Sequence, residues 1–245
     1  IPMSADLSIS LAAAGQSVTV YAIGSFAAAI PLMSLLQGWR RRRLLILTLA
    51  GFTLANTVTA LTHDYATMLA ARAVAGIAAG VLWAQLAGYA AAMVPAHKRG
   101  KAIAIAMAGT PLALSLGVPV GTFMGNLIGW RFCFAALSAL SLCLMLILRL
   151  SAPDIAGQPL KQRLTLRNVL QLPGVGSLLL LVLTFVLAHN LLYTWIAPFL
   201  APAGLTARTD AVLLLFGLCS LLSIVLTGLL IDRHLHRLTL LSIGL

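Results

Sequence analysis

Seven runs of about twenty apolar residues, each closed by a short polar connector, constrain this chain more than any other feature. They span Ala12–Leu36, Leu44–Thr62, Ala66–Val94, Ala102–Ile128, Phe132–Leu148, Gly174–Leu200 and Ala211–Ile231, and an eighth opens near Leu238. A run of that length crosses a ~30 Å hydrocarbon core as a helix. Lipid offers no partner to backbone N–H and C=O groups, so the helix must satisfy them internally. The runs are rich in Leu, Ala and Gly and lack period-2 alternation, which argues against a membrane barrel. With 61% hydrophobic and 9% charged residues, the chain cannot cover a water-facing surface, for which about 25% charged is usual. The expected fold class is an all-α membrane protein with seven full spans and the start of an eighth.

The connectors alternate in charge. Arg40, Arg41, Arg42 and Arg43 follow the first span, and Lys98, Arg99 and Lys101 the third; Arg149, Lys161, Arg163 and Arg167 follow the fifth, and Arg233 and Arg237 the seventh. The other side carries Arg131 and Arg208 with Asp6, Asp64 and Asp210. The formal charge of +11 is therefore a topology signal and not a nucleic-acid footprint, and it places the four basic loops in the cytoplasm. The first visible span then enters from outside, and a cytoplasmic start would need one more span ahead of it. The chain begins at Ile1 without an initiator Met or signal pattern and ends at Leu245 inside an apolar run, so both ends read as cut. The longest connector, residues 150–173, holds Pro153, Pro159 and Pro173. It divides a first bundle, residues 1–149, from the start of a second, residues 174–245.

Much chemistry is excluded. No residue is Glu, no Asp lies within a span, and phosphate-binding loops, H-E-x-x-H and G-x-S-x-G are absent. The chain reads as neither an enzyme nor an ATPase, no cofactor or metal is implied, and transport energy would come from a gradient or from the substrate itself. Cys133, Cys143 and Cys219 have no redox or metal spacing and read as buried small hydrophobes.

Several residues stand out. Small residues recur every fourth position in the fourth span, at Gly109, Ala113, Gly117, Gly121, Gly125 and Gly129, together with Pro111 and Pro119. Such a stripe admits close helix approach, and the prolines should bend it. The third span repeats the device at Gly76, Gly80, Ala84, Gly88 and Ala92, where static packing is the simpler reading. Arg72 lies inside the third span; it either marks a pathway or snorkels to the outer interface. His189, with Asn190, Tyr193 and Trp195, reads as a packing residue or as a substrate-facing stretch. Trp39, Tyr65 and Trp130 fit an interfacial belt, and Asp154 is expected to be solvated.

The residues resemble a known family. Gly228-x-x-x-Asp232-Arg233-x-x-x-Arg237 resembles the second-half copy of the signature loop of the major facilitator superfamily. Gly117-Val118-Pro119-Val120-Gly121 resembles the fifth-helix motif of its drug:proton antiporter group, and Leu69 to Gly76 the fourth-helix Arg motif. Pro2, Asp6-Leu7, Gly129-Trp130-Arg131 and Phe134 are similar to the sugar- or arabinose-efflux permease type. In the first-half loop, Leu36 to Arg42, Gln37 stands where the motif usually has Asp.

The resemblance implies helices two to eight of twelve and the start of nine, in two bundles that rock about a midplane site. It implies a cavity lined by Arg72, His189, Asn190 and Tyr193. It also implies gating by Gly117, Pro119, Gly121 and Gly125 and by the loop residues Arg40, Arg41, Asp232, Arg233 and Arg237. The leading expectation is a monomeric, proton-driven efflux permease for sugars or drug-like solutes in a bacterial inner membrane. Its partners would be the small-molecule substrate, protons and membrane lipids, with no nucleic acid. Uptake by symport and an inactive truncated remnant stay open. The proton carrier would be a carboxylate in a missing first helix beside Arg72, or His189.

Overall fold

The computed structural model describes residues 3–159, 165–205 and 209–244. Pro2, Lys161, Arg163 and Arg208 lie outside the described residues, as do the side chains of Pro119, Tyr193 and Asp210. The described chain is helical, with no strand: α1 (Met3–Asp6), α2 (Leu11–Leu36), α3 (Arg41–Leu61), α4 (Tyr65–Ala92), α5 (Arg99–Met107), α6 (Gly109–Leu112), α7 (Val118–Ile128), α8 (Trp130–Ser151), α9 (Leu166–Leu170), α10 (Val175–Thr194), α11 (Ile196–Leu200) and α12 (Thr209–Gly244). Among these residues, six helices are long and apolar enough to cross a membrane.

Local chemistry sets the helix ends. Ser10 Oγ accepts from the Ala13 N–H at 3.1 Å and starts α2. Asp64 Oδ2 accepts from the Thr67 N–H at 2.7 Å and starts α4. Both satisfy N–H groups that the first turn leaves without partners. Gly129, at φ 95°, breaks the chain between α7 and α8, in a backbone region that other residues rarely adopt.

The fourth expected span is not one regular helix. It runs as α5, α6, a π-helical segment at Ala113–Gly117, and α7. The Ala108 N–H is shared between the carbonyls of Ala104 and Ile105. Pro111 and Pro119 lack the N–H an α-helix needs, and the π turn sits between them, a usual cause of irregularity. Likewise the sixth span breaks at Trp195 into α10 and α11. The seventh span and the opening of the eighth are two helices that meet at a kink at His234 (φ −131°, ψ 30°), together labelled α12.

The bundle is centred on α4, which packs on α2 and α3, while α3 packs on α8. Its core consists largely of small and polar residues: Ala55, Ala71, Ala75, Ala78 and Ala79 are buried with Asn56 and Thr59. Lipid tails are as apolar as leucine, so helices associate in a membrane through close packing and interhelical hydrogen bonds. Here the approach is at backbone level. A Cβ on Gly76 would overlap the Tyr21 carbonyl of α2, one on Gly80 the Ser25 carbonyl, and one on Gly24 would stand 2.8 Å from the Ala73 carbonyl. The third-span stripe is thus packed on α2 at Gly76 and Gly80, whereas a Cβ on Gly88 would meet nothing within 4 Å. The cysteines depart from expectation: Cys133 is half-buried, but Cys143 and Cys219 are exposed, because these helix faces look outward, where lipid replaces a protein core.

Gly80→Ala should lower the thermal stability of the detergent-purified protein by about 1–3 kcal/mol, the cost of overpacking. Gly88→Ala, whose Cβ meets nothing within 4 Å, should leave the melting temperature unchanged. Equal melting temperatures for native and Gly80→Ala protein would remove the α2–α4 contact from this account.

Candidate functional site

Among the described residues, Arg72 is the one charged residue deep in the bundle, only 7% exposed. Its Nη2 donates to Asn56 Oδ1 at 2.6 Å and its Nε to Thr59 Oγ1 at 3.2 Å. The guanidinium lies over the Phe134 ring of α8, 4.5 Å from the centroid. It does not snorkel: α4 aims it across α3 toward α8. Every one of these partners is neutral, and neither ion pair among the described residues involves Arg72. A buried cation without an anion is costly, by several kcal/mol. The Asn56 Nδ2 is also buried without a hydrogen-bond partner, as are both amide atoms of Gln85 in α4. Gln85 lies thirteen residues beyond Arg72 on α4, about 20 Å along the axis, so the two sets of polar groups are separate.

The other expected cavity residues lie on α10 and are not brought to Arg72. His189 packs between aromatic rings, 6.4 Å from Phe185 and 5.5 Å from Phe216 of α12 (centroid to centroid). Asn190 is exposed, and its Nδ2 donates to the Val186 carbonyl of its own helix at 2.8 Å.

Asp232 has the most specific contact among the expected gating residues. Its Oδ1 accepts from the Gly100 N–H at 2.7 Å and its Oδ2 from the Lys101 N–H at 3.1 Å. These are first-turn donors of α5, which has no side-chain cap of its own. An anion there satisfies orphan N–H groups and complements the helix dipole. The carboxylate thus reaches from α12 to the first bundle, and Arg233 and Arg237, exposed beside it, form no ion pair with it among the described residues. Close packing supports the contact: a Cβ on Gly100 would stand 2.5 Å from Asp232 Oδ1, and one on Gly228 2.9 Å from Ala104 Cβ.

Further along the same span, α12 also meets α6 and the π segment. Along this span, Gly109 and Gly121 have nothing within 4 Å of a Cβ position, Gly117 has only Ala113 Cβ at 3.8 Å, and Gly125 has Cys133 Sγ of α8 at 3.7 Å.

The two ends of the bundle carry different polar chemistry. At the basic end, Arg40 Nε pairs with Asp154 Oδ2 at 2.6 Å. This corrects the expectation of a solvated Asp154: the connector folds back on the α2–α3 loop. Arg41 joins the connector through its backbone N–H, which donates to the Ile155 carbonyl at 2.8 Å. At the opposite end, Arg131 Nε pairs with Asp6 Oδ2 at 2.8 Å. Its Nη1 donates to the Ala60 and Thr62 carbonyls, and its Nη2 lies 3.2 Å from His63 Nδ1. Trp130 Nε1 also donates to Asp6 Oδ2, at 3.1 Å. These contacts, led by the hydrogen bond from Arg131, hold the Asp6 carboxyl below its ordinary value. Trp130 and Tyr65, read as belt residues, thus have fixed polar partners, Tyr65 through its hydroxyl to the Ala13 carbonyl.

A helical membrane bundle with a buried cation, and with two parts joined by a carboxylate on a helix end, is the scaffold of a polytopic membrane protein. The sequence matches the Major Facilitator Superfamily over residues 1–245, and the chain belongs to that family. Relatives include purine ribonucleoside efflux pumps called NepI. Those from Escherichia coli O1:K1 / APEC and strain UTI89 / UPEC are 33% identical over 236 residues, covering 95% of this chain and 59% of theirs. That of Shigella flexneri is 32% identical over the same length. The chain therefore spans under two thirds of the length of these relatives.

Two outcomes follow for the full-length protein. Asp232→Asn should weaken the hold on α5 by about 0.3–1 kcal/mol and slow transport severalfold, whereas Gln37→Ala should matter less; equal losses would remove the distinction between the two loops. The Asp6–Arg131 contact should follow the carboxylate's charge. A carboxyl held below its ordinary 3.8 contributes stability that is complete above that value and is lost as pH falls through the lowered one. The melting-temperature advantage of native over Asp6→Asn protein should therefore be constant from neutral pH down to about 5 and vanish only below 3.8; an advantage already lost at pH 6 contradicts the pairing.

Proposed function

We propose that this protein exports small organic solutes by proton-coupled alternating access across a bacterial inner membrane, with its basic loops in the cytoplasm. The observation that carries the reading is the contact between the two parts at the basic end, through Asp232 on the start of α5 and Gly228 against Ala104. A joint made by one carboxylate on main-chain donors suits two bundles that rock against each other. The basic connectors around Arg40, Lys98 and Arg233 support the orientation through the positive-inside rule.

The names of the relatives direct the substrate expectation toward purine ribonucleosides, beside the sugars and drug-like amphiphiles that the motifs suggest. A nucleoside joins a flat aromatic base to a polyhydroxyl ring. A site for such a solute would pair aromatic faces with amide or hydroxyl groups.

For the proton, Arg72 stays charged and cannot carry it. In this reading it stabilises the deprotonated form of an acid that protonation or substrate releases, and the family resemblance puts that acid on a membrane-spanning helix outside these 245 residues. Gly117, Pro119, Gly121 and Gly125 would close the outer side in the opposite conformation.

The test is efflux from cells or everted vesicles containing full-length protein, with a purine ribonucleoside, a pentose and a cationic drug as solutes. Native protein should move at least one of them in a manner abolished by an uncoupler. Arg72→Ala, at matched membrane levels, should lose coupling while His189→Ala retains it. The reverse pattern moves the proton site to His189, and transport that ignores the uncoupler sinks the proton-coupled reading.

A further inference from the structure

The connector after α8 does not leave the first bundle at once. Residues 153–159 have no secondary structure of their own, so their backbone groups must find partners elsewhere. They find them on α3, α4 and the α2–α3 loop. The Ala152 carbonyl accepts from Arg42 Nη1 at 3.2 Å, the Pro153 carbonyl from the Tyr89 hydroxyl at 2.6 Å, and the Ile155 carbonyl from the Arg41 N–H at 2.8 Å. In return, the Gln158 N–H donates to the Gln37 carbonyl at 2.8 Å. The Arg41 bond has a particular value. Arg41 opens α3, whose N-cap residue, Arg40, makes no side-chain cap, so a connector carbonyl takes one of the donors that the helix start leaves open.

Shape and charge agree with these bonds. Gly157 lies so close to the loop that a Cβ there would overlap the Gly38 carbonyl group and stand 2.5 Å from the Trp39 carbonyl oxygen. The loop carries four consecutive arginines, and Gln37 occupies the place where an acid is expected. The carboxylate that does meet the loop is Asp154, on Arg40.

We propose that residues 152–158 are a strap belonging to the rigid body of the first bundle, with Asp154 the positioning residue that supplies the α2–α3 loop with a carboxylate it does not itself contain. The first bundle then ends after Gln158, and the strap travels with α3 when the halves move. This does not rest on any assignment of substrate or of transport direction.

The experiment is pulsed electron–electron spectroscopy on full-length protein, with spin labels at Ala156 and at Leu54, an outward-facing residue of α3. The thirteen residues from Arg41 to Leu54 put these labels about 20 Å apart along the helix axis, within range of the method. A second pair, Ala156 and Leu230, reports on α12. The Ala156–Leu54 distance should stay single and narrow at two pH values either side of neutral, with or without a purine ribonucleoside. A broad Ala156–Leu54 distribution, or one that shifts together with Ala156–Leu230, overturns the strap. Gly157→Val should broaden it by forcing the strap off the loop, and a distribution left narrow also counts against the proposal. Asp154→Asn should raise the released fraction about two- to fivefold, the range that an exposed ion pair supports. The exchange Arg40→Asp with Asp154→Arg should restore the native distribution, and a double variant no better than Asp154→Asn removes the positioning role.

Discussion

The rest of this bundle depends on how closely α2 and α4 approach. In lipid, two helices gain little from hiding leucines from each other, and what is left is surface fit at short range. Gly24, Gly76 and Gly80 bring carbonyls of one helix against the backbone of the other. That contact fixes the rotation of α4, and rotation decides where its few polar residues point. With the glycines against α2, Arg72 falls on α3 and α8, and Tyr89 meets the connector. The alanine-rich core follows from the same economy of space, since larger side chains would hold the helices too far apart for Arg72 to reach Asn56 at 2.6 Å.

Polar chemistry concentrates where the helices end. Arg131 ties Asp6 and the last carbonyls of α3 together, so that one guanidinium holds α8, α3 and the chain ahead of α2. At the basic end, the work is divided between Asp154 on the α2–α3 loop and Asp232 on the start of α5. Arg131 saturates a site internal to the first bundle. Asp232 binds across to another part of the molecule through backbone donors that water could replace. A contact of the second kind is cheaper to break.

The sequence disclosed the spans because a twenty-residue apolar run has few alternatives in a membrane, and it disclosed the irregular fourth span because Pro111 and Pro119 cannot donate. The family membership was legible in the Gly228-to-Arg237 loop. The partners of Arg72 were not. Asn56 and Thr59 lie on a different helix and are ordinary residues in a Thr-rich run, so only the α3–α4 register identifies them. Asp154 was read as solvated because a proline-rich connector gives no sign of which surface it lies against. The seat of Asp232 was hidden for another reason. Its donors are main-chain N–H groups, and no residue type at 100 or 101 announces an acceptor; only the glycine at 100 hints that something comes close.

The fourth-span stripe has a geometric property that its spacing conceals. A regular α-helix turns about 100° per residue, so positions four apart drift by about 40°. Over the five steps from Gly109 to Gly129 the drift amounts to about 200°, half of a full rotation. A four-residue repeat of this length is therefore a helical band and not a straight seam. The π turn at Ala113–Gly117 takes more residues per revolution and turns the band back. Of the stripe's glycines only Gly125 meets a side chain of another helix, Cys133 of α8, while Gly100 and Ala104, which face α12, precede the stripe. The small residues of this span therefore do not form one seam against one partner, and the winding of the π turn decides which way those beyond it look.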